Sequence, residues 1–96
     1  MVLGTGGAAR AIIEAVGRAG PGELVVVSRD QARARLAAGL ATMARAGDAA
    51  EVEAMDVVVN ATPIGMAGGP APTGLPLDVR LLHAGQTVVD IVYNPR

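Results

Sequence analysis

The chain contains no cysteine, no lysine, no phenylalanine and no tryptophan, and it has a single tyrosine. Without cysteine, disulfides and thiolate metal sites are excluded, and the cytoplasm is the expected compartment. Without lysine, all eight basic residues are arginines, so no mechanism that needs a lysine base or a Schiff base can be housed here. With almost no aromatic side chains, nucleic-acid bases have nothing to stack on. A net charge of −1 without any basic block argues further against nucleic acid as a partner. No apolar run approaches the roughly 20 residues of a membrane span. The glycine-rich opening also lacks the basic-then-apolar pattern of a signal peptide. The lone His83, with no cysteine or second histidine beside it, argues against a metal or catalytic role there.

What is present is aliphatic. Half of the 96 residues are hydrophobic, enough for one domain whose core is built from Val, Leu, Ile and Ala. Met1–Gly4 reads as the end of a strand. Apolar residues Ala9, Ile12, Ile13 and Val16 recur at helical spacing over Ala8–Ala19. Gly20-Pro21-Gly22 stops that helix. "LVVVS", Leu24–Ser28, has the continuous apolar character of a buried parallel strand. Asp30 is placed to cap a second helix with Ala32, Leu36 and Leu40 along one face and Gly39 near its end. A weak strand is expected around Ala41–Ala44, a short helix over Ala49–Ala54, and a buried strand at Val57–Asn60. Ala61–Pro76 carries four prolines and four glycines and reads as a functional loop. A helical turn at Asp78–Leu82 and a strand at Thr87–Val92 follow. Asp90 falls within that strand, which is expected to be buried, among apolar neighbours, so a structural hydrogen bond is expected for it. Strands alternating with helices predict an α/β, Rossmann-like, doubly wound parallel sheet in the order 3-2-1-4-5.

Gly4-Thr5-Gly6-Gly7-Ala8-Ala9 fits G-x-G-x-x-A, a form of the dinucleotide fingerprint. Gly4 permits the tight turn out of the strand, Gly6 lets a pyrophosphate approach the backbone, and Ala9 lets the helix pack closely. A helix beginning near Ala8 aims unpaired N–H groups at the phosphates. At the end of the second strand stand Ser28, Arg29, Asp30 and Arg33. An arginine at that place accommodates a 2′-phosphate, whereas an acid binds a 2′-hydroxyl. NADP is therefore favoured over NAD, with Arg29 and Arg33 as the clamp and Ser28 adding a hydroxyl bond. The competing readings are that both arginines are solvated surface charges, and that Asp30 binds a 2′-hydroxyl and selects NAD. Asn60-Ala61-Thr62 sits where ligands bind in open α/β sheets, but it also fits a plain Asx turn before a proline loop.

The stretches "VLGTGGAAR", "VVVSRDQAR", "VVNATPIGM", "LPLD" and "VVDIVYNP" occur in the order and spacing typical of shikimate dehydrogenases. The chain resembles the cofactor-binding domain of that family over essentially its whole length. The resemblance implies that Gly4, Gly6, Gly7 and Ala8 form the phosphate loop. It implies that Ser28, Arg29 and Arg33 match the family's adenosine-phosphate clamp, with Ser in place of Asn and Asp30 in place of Thr. Asn60, Ala61 and Thr62 would line the ribose and nicotinamide region, and Met66 belongs to the same signature. Val92 would lie near the nicotinamide ring, and Tyr93 would face the substrate.

The same resemblance implies reversible reduction of 3-dehydroshikimate to shikimate with NADPH, in aromatic amino acid biosynthesis. The family's catalytic lysine and aspartate belong to a separate substrate domain. Residues 1–96 are accordingly expected to be a partial NAD(P)-binding domain, incomplete at both ends, with no catalytic residue of its own. It is expected to meet shikimate only together with that domain, to be inactive alone, and to self-associate through uncovered apolar surface. Two alternatives are a non-catalytic dinucleotide-binding module and an NAD-using quinate/shikimate dehydrogenase.

Overall fold

The computed structural model describes residues 1–62 and 79–91. These form a parallel sheet of five strands: β1 (Val2–Leu3), β2 (Leu24–Val27), β3 (Ala44–Ala46), β4 (Val57–Asn60) and β5 (Thr87–Asp90), in the expected order 3-2-1-4-5. Two α-helices, α1 (Gly7–Ala19) and α2 (Gln31–Ala38), and 3-10 helices at Ala49–Ala54 and Val79–Leu81 connect them.

The apolar runs of β1 and β2 are continuous because the centre of the sheet is covered on both sides. Val2, Leu24 and Val26 pack with Ala9, Ile13, Ala34 and Ala37 of the helices. Their strand neighbours Leu3, Val25 and Val58 pack on the other face with Val52 and Met55. Alternate residues of one strand thus enter different cores, as the two-residue period of a strand requires. β1 has only two residues, yet it is fully buried and paired on both sides: Val2 with Val26 and Val59, Leu3 with Val27 and Asn60.

Three expectations need correction. α2 does not bury Ala32, Leu36 and Leu40. It buries Ala34, Ala37 and Ala38 and leaves Leu36 73% exposed, because close approach to the sheet admits only alanines. β3 lies at Ala44–Ala46, not Ala41–Ala44. The preceding residues are taken up by turns in which Leu40, Ala41 and Ala44 donate to the carbonyls of Ala37, Ala38 and Ala41. β5 is an exposed edge strand, Val88 being 41% and Val89 42% accessible, so Asp90 is not buried.

Local chemistry sets the ends of the elements. Gly20 closes α1 with φ +74 and an N–H donated to Gly17 O. Asp30 caps α2, its carboxylate accepting from Ala32 N (3.0 Å) and Arg33 N (3.3 Å). Asp48 Oδ1 accepts from Ala50 N while Glu51 Oε2 accepts from Asp48 N, a reciprocal cap on the following 3-10 helix. Arg45 on β3 ties that helix to the sheet through Glu51 and Glu23. Its hydrogen bond holds the Glu51 carboxyl down at about 2.

The turn before β5 is held by His83 and Gln86. Gln86 Nε2 donates to the carbonyls of Val52 (2.7 Å) and Met55 (2.6 Å). The two ring nitrogens of His83 each lie 2.9 Å from a carbonyl oxygen, of Ala84 and of Glu53. Two acceptors need two N–H donors, which only the imidazolium supplies. The Ala84 and Glu53 hydrogen bonds, and then the Glu53 and Asp56 charges, raise the His83 pKa above 6.5.

Two outcomes are expected. A Cβ on Gly17 would fall 2.6 Å from Ala41 Cβ, so Gly17→Ala should lower stability by about 1–3 kcal/mol, against the usual helix gain from alanine of about 1 kcal/mol. Urea denaturation checks this, and an unchanged or raised midpoint contradicts it. Because His83 is raised in the folded state, its contribution is complete below the unfolded value and is lost as pH rises through the folded one. Melting temperatures measured from about pH 5 to about pH 9 should fall across that window in the wild type, and His83→Gln should flatten the slope.

Candidate functional site

The site is built where β1 and β4 end. Gly4 follows β1 with φ +118 and donates its N–H to Val27 O at 2.9 Å. A Cβ there would meet Ala61 O at 3.0 Å and Thr62 Cγ2 at 3.3 Å. Glycine is therefore required twice, for its backbone angle and for the close passage of the chain leaving β4. This contact joins the glycine loop to Asn60-Ala61-Thr62, two segments the sequence separates by more than half the chain.

Gly6 is the N-cap of α1, with extended backbone and no side-chain cap, and the first helical turn, which starts at Gly7 with Ala8 next, contains no acidic residue. A Cβ at Gly6 or Gly7 would meet nothing within 4 Å. Uncapped amides at an uncrowded, positive helix end fit an anion. Behind Ala8, Ala9 is fully buried, which brings the helix close to the sheet.

Beside the loop lies a cleft of ≈ 250 Å³ lined by Thr5, Gly6, Arg10, Arg33, Leu36 and Ala37. It runs between the start of α1 and the outer side of α2. Arg33 is brought to it as the sequence suggests, but Arg29 is not among its lining residues. Ser28 Oγ accepts from Asp30 N at 3.2 Å. Asp30 acts as the helix cap and also lies 3.7 Å from Arg33 Nε. The cleft wall carries two guanidinium groups and no carboxylate. Sequence reasoning does not single out Arg10. Its signal is its position one helical turn beyond the loop, three residues after Gly7.

At the other side of the loop, Asn60 is fully buried. Its Oδ1 accepts from Thr62 N (3.1 Å) and Thr62 Oγ1 (2.6 Å), and its Nδ2 donates to Asp90 Oδ1 (3.2 Å). The Asx turn is thus present, and the Asn60 side chain faces inward to hold Thr62 and β5. What this segment turns toward the sheet edge is the backbone of Ala61 and the half-buried Thr62. Met66, Val92 and Tyr93 lie outside the described residues. Among the described residues no cluster of side chains could hold a metal ion, and no helix is long and apolar enough to cross a membrane.

Comparison with known proteins bears on the family and the fold. Residues 1–94 match the family model described as NADP oxidoreductase, coenzyme F420-dependent. Shikimate dehydrogenase (NADP(+)) of Moorella thermoacetica is 43% identical over 106 residues, covering 99% of this chain and 35% of that protein. The Rhodospirillum rubrum protein of the same name is 42% identical over 99% of this chain and 36% of its own length. The chain spans about a third of the length of the curated relatives it matches. Among solved structures, shikimate 5-dehydrogenase of Thermus thermophilus in complex with NADP(H) and shikimate superposes with a TM-score of 0.78 at 34% identity, over 93% of this chain and 32% of that one. Quinate dehydrogenase of Corynebacterium glutamicum in complex with NAD gives 0.79 at 32%, over 93% and 34%.

The Asn60 network makes a sharp expectation. Asn60→Asp keeps the acceptors for Thr62 but sets a second carboxylate against Asp90, which should cost about 2–4 kcal/mol. The exchange Asn60→Asp with Asp90→Asn restores a donor–acceptor pair and should recover most of the loss in chemical denaturation. Equal stability of the single and double variants would contradict the network.

Proposed function

The chain belongs to the NADP oxidoreductase, coenzyme F420-dependent, family, and from that premise we propose that it is the NADP-binding part of a shikimate dehydrogenase. The observation that carries the proposal is the open, uncapped turn at Gly6, set at the carboxyl ends of the neighbouring strands β1 and β4, where the strand order reverses, and beside an arginine-lined cleft. Ligands bind in such sheets at this switch point. The substrate assignment follows the shikimate dehydrogenases because their likeness runs through 99% of the chain at up to 43% identity.

The residues present fit a dinucleotide. Gly4 makes the turn, its own N–H being donated to Val27 O, and Gly6, Gly7 and Ala8 offer a pyrophosphate the amides of the N-cap and first turn. Arg33, with Ser28 and Arg29 at the end of β2, offers the adenosine ribose a cationic wall, which favours NADP over NAD. Ala61 and Thr62, held by Asn60, border the nicotinamide half, where Met66 and Val92 are proposed to join them and Tyr93 to face the substrate. When bound, the nicotinamide supplies or accepts the hydride. This chain's contribution is orientation, holding the dinucleotide against the sheet edge. The lysine and aspartate that handle the substrate proton belong to the separate substrate domain of this reading, and residues 1–96 supply no catalytic group. The finer parts of the reading stand with the shikimate assignment: a cytoplasmic enzyme of aromatic amino acid biosynthesis, and self-association through the exposed apolar side chains Val57 of β4 and Val88 and Val89 of β5.

Calorimetric titration tests the reading. The chain should bind NADP⁺ at least tenfold more tightly than NAD⁺, about 1.4 kcal/mol. Gly6→Ala should leave the fold stable to within about 1 kcal/mol, since its Cβ meets nothing, yet weaken both dinucleotides by obstructing the phosphate approach. A folded chain that binds neither overturns the reading, and a preference for NAD⁺ turns it toward the quinate dehydrogenase type. In the protein that carries this chain, NADP⁺ reduction should depend on shikimate.

A further inference from the structure

The cleft between α1 and α2 carries more positive charge than the glycine loop needs. Arg10 and Arg33 come from different helices and line the same space beside Gly6. Arg33 Nε lies 3.7 Å from Asp30 Oδ2, while Asp30 Oδ1 accepts the two backbone N–H groups of the helix cap. Arg10 is exposed and, among the described residues, has no carboxylate in ion-pair range. Its helix-mate Arg18, by contrast, is paired with Glu14 at 2.5 Å. Asp30 offsets part of the Arg33 charge from outside the cleft lining, Arg10 has no such partner, and two guanidinium groups in one lining attract a bridging dianion. On the α2 wall, Arg33 is followed by apolar surface, Leu36 standing 73% exposed beside Ala37.

The position of the cleft says which dianion fits. Gly6 and the first turn of α1 form one end of it, and they suit a pyrophosphate. From there it extends along α2, on the side of β1 that carries β2 and β3. Ala61 and Thr62 lie on the opposite side of β1, with β4. The cleft therefore serves the adenosine half of a dinucleotide, and the phosphate available there is the ribose 2′-phosphate monoester.

We propose that Arg10 and Arg33 form a two-helix clamp on the 2′-phosphate, making Arg10 a determinant of NADP over NAD. This rests on the dinucleotide-binding reading above. Guanidinium forks from two directions can each meet a pair of phosphate oxygens.

The test is calorimetric titration of the wild-type chain, Arg10→Ala, Arg10→Lys and Arg18→Ala with NADP⁺ and with NAD⁺. Arg10→Ala should weaken NADP⁺ at least tenfold and leave NAD⁺ within about twofold. Arg10→Lys should fall between, keeping charge without the fork. Arg18→Ala, on the same helix but outside the cleft, should change neither, which separates a local clamp from a general loss of positive charge. Equal weakening of both dinucleotides by Arg10→Ala would assign Arg10 to the pyrophosphate and overturn the proposal. No change in either would also overturn it, while leaving the dinucleotide reading intact if the wild type still prefers NADP⁺. A folded wild type that binds neither dinucleotide would sink that reading, and the clamp with it.

Discussion

Everything at the functional edge depends on the close passage of two backbones, where Gly4 turns out of β1 against Ala61 leaving β4. β1 is only two residues long, so it cannot fix its own direction. It is held by Val2 and Leu3, which are almost wholly buried and hydrogen-bonded on both sides. Once those pairings exist, Gly4 has nowhere to go except the positive-φ turn, and the loop is delivered to the start of α1 with no side chain capping the helix. A side chain at Gly4 would push the two strands apart and remove the ledge on which both halves of a dinucleotide would rest.

The two halves of that edge are organised by different physics. On the β4–β5 side, a buried amide is satisfied within the chain. Asn60 holds Thr62 through one atom and Asp90 through the other, and so ties an exposed edge strand to the centre of the sheet. Buried polar groups of this kind are costly unless fully partnered, which makes their geometry definite. On the α1–α2 side the polar groups are exposed and incompletely paired. Solvent screens such charges, so they add little to folding. They remain available to a ligand that can exclude water around them. One side is therefore a fixed support, and the other is a surface whose electrostatic attraction is left for a ligand.

Much of this is legible in the sequence, and the exceptions share a cause. Long periodic runs announce α1, β2 and β4, and the alternation of strands and helices announces a parallel sheet and its order. Gly4 and Asp30 announce a turn and a cap, because those are local demands of backbone angle and hydrogen bonding. The face of α2 is misleading because alanine carries little periodic signal. Leu36 looks like core, but the helix lies so close to the sheet that Ala34, Ala37 and Ala38 fill the gap. β3 begins later than its pattern suggests because Ala41–Ala44 is equally apolar, yet its backbone is taken up by turn hydrogen bonds, with Ala41 set close against Gly17.

The sequence by itself determined the class of fold, the strand order and the glycine loop, since these follow from period, chain direction and the conformational range of single residues. Only the tertiary structure decided which side chains meet. It turned Asn60 inward to Asp90, kept Arg29 out of the cleft beside Gly6, and set Arg10 across from Arg33. Such contacts join residues from separate elements, and their distances depend on how closely helix and sheet approach, a quantity that no local pattern of residues encodes.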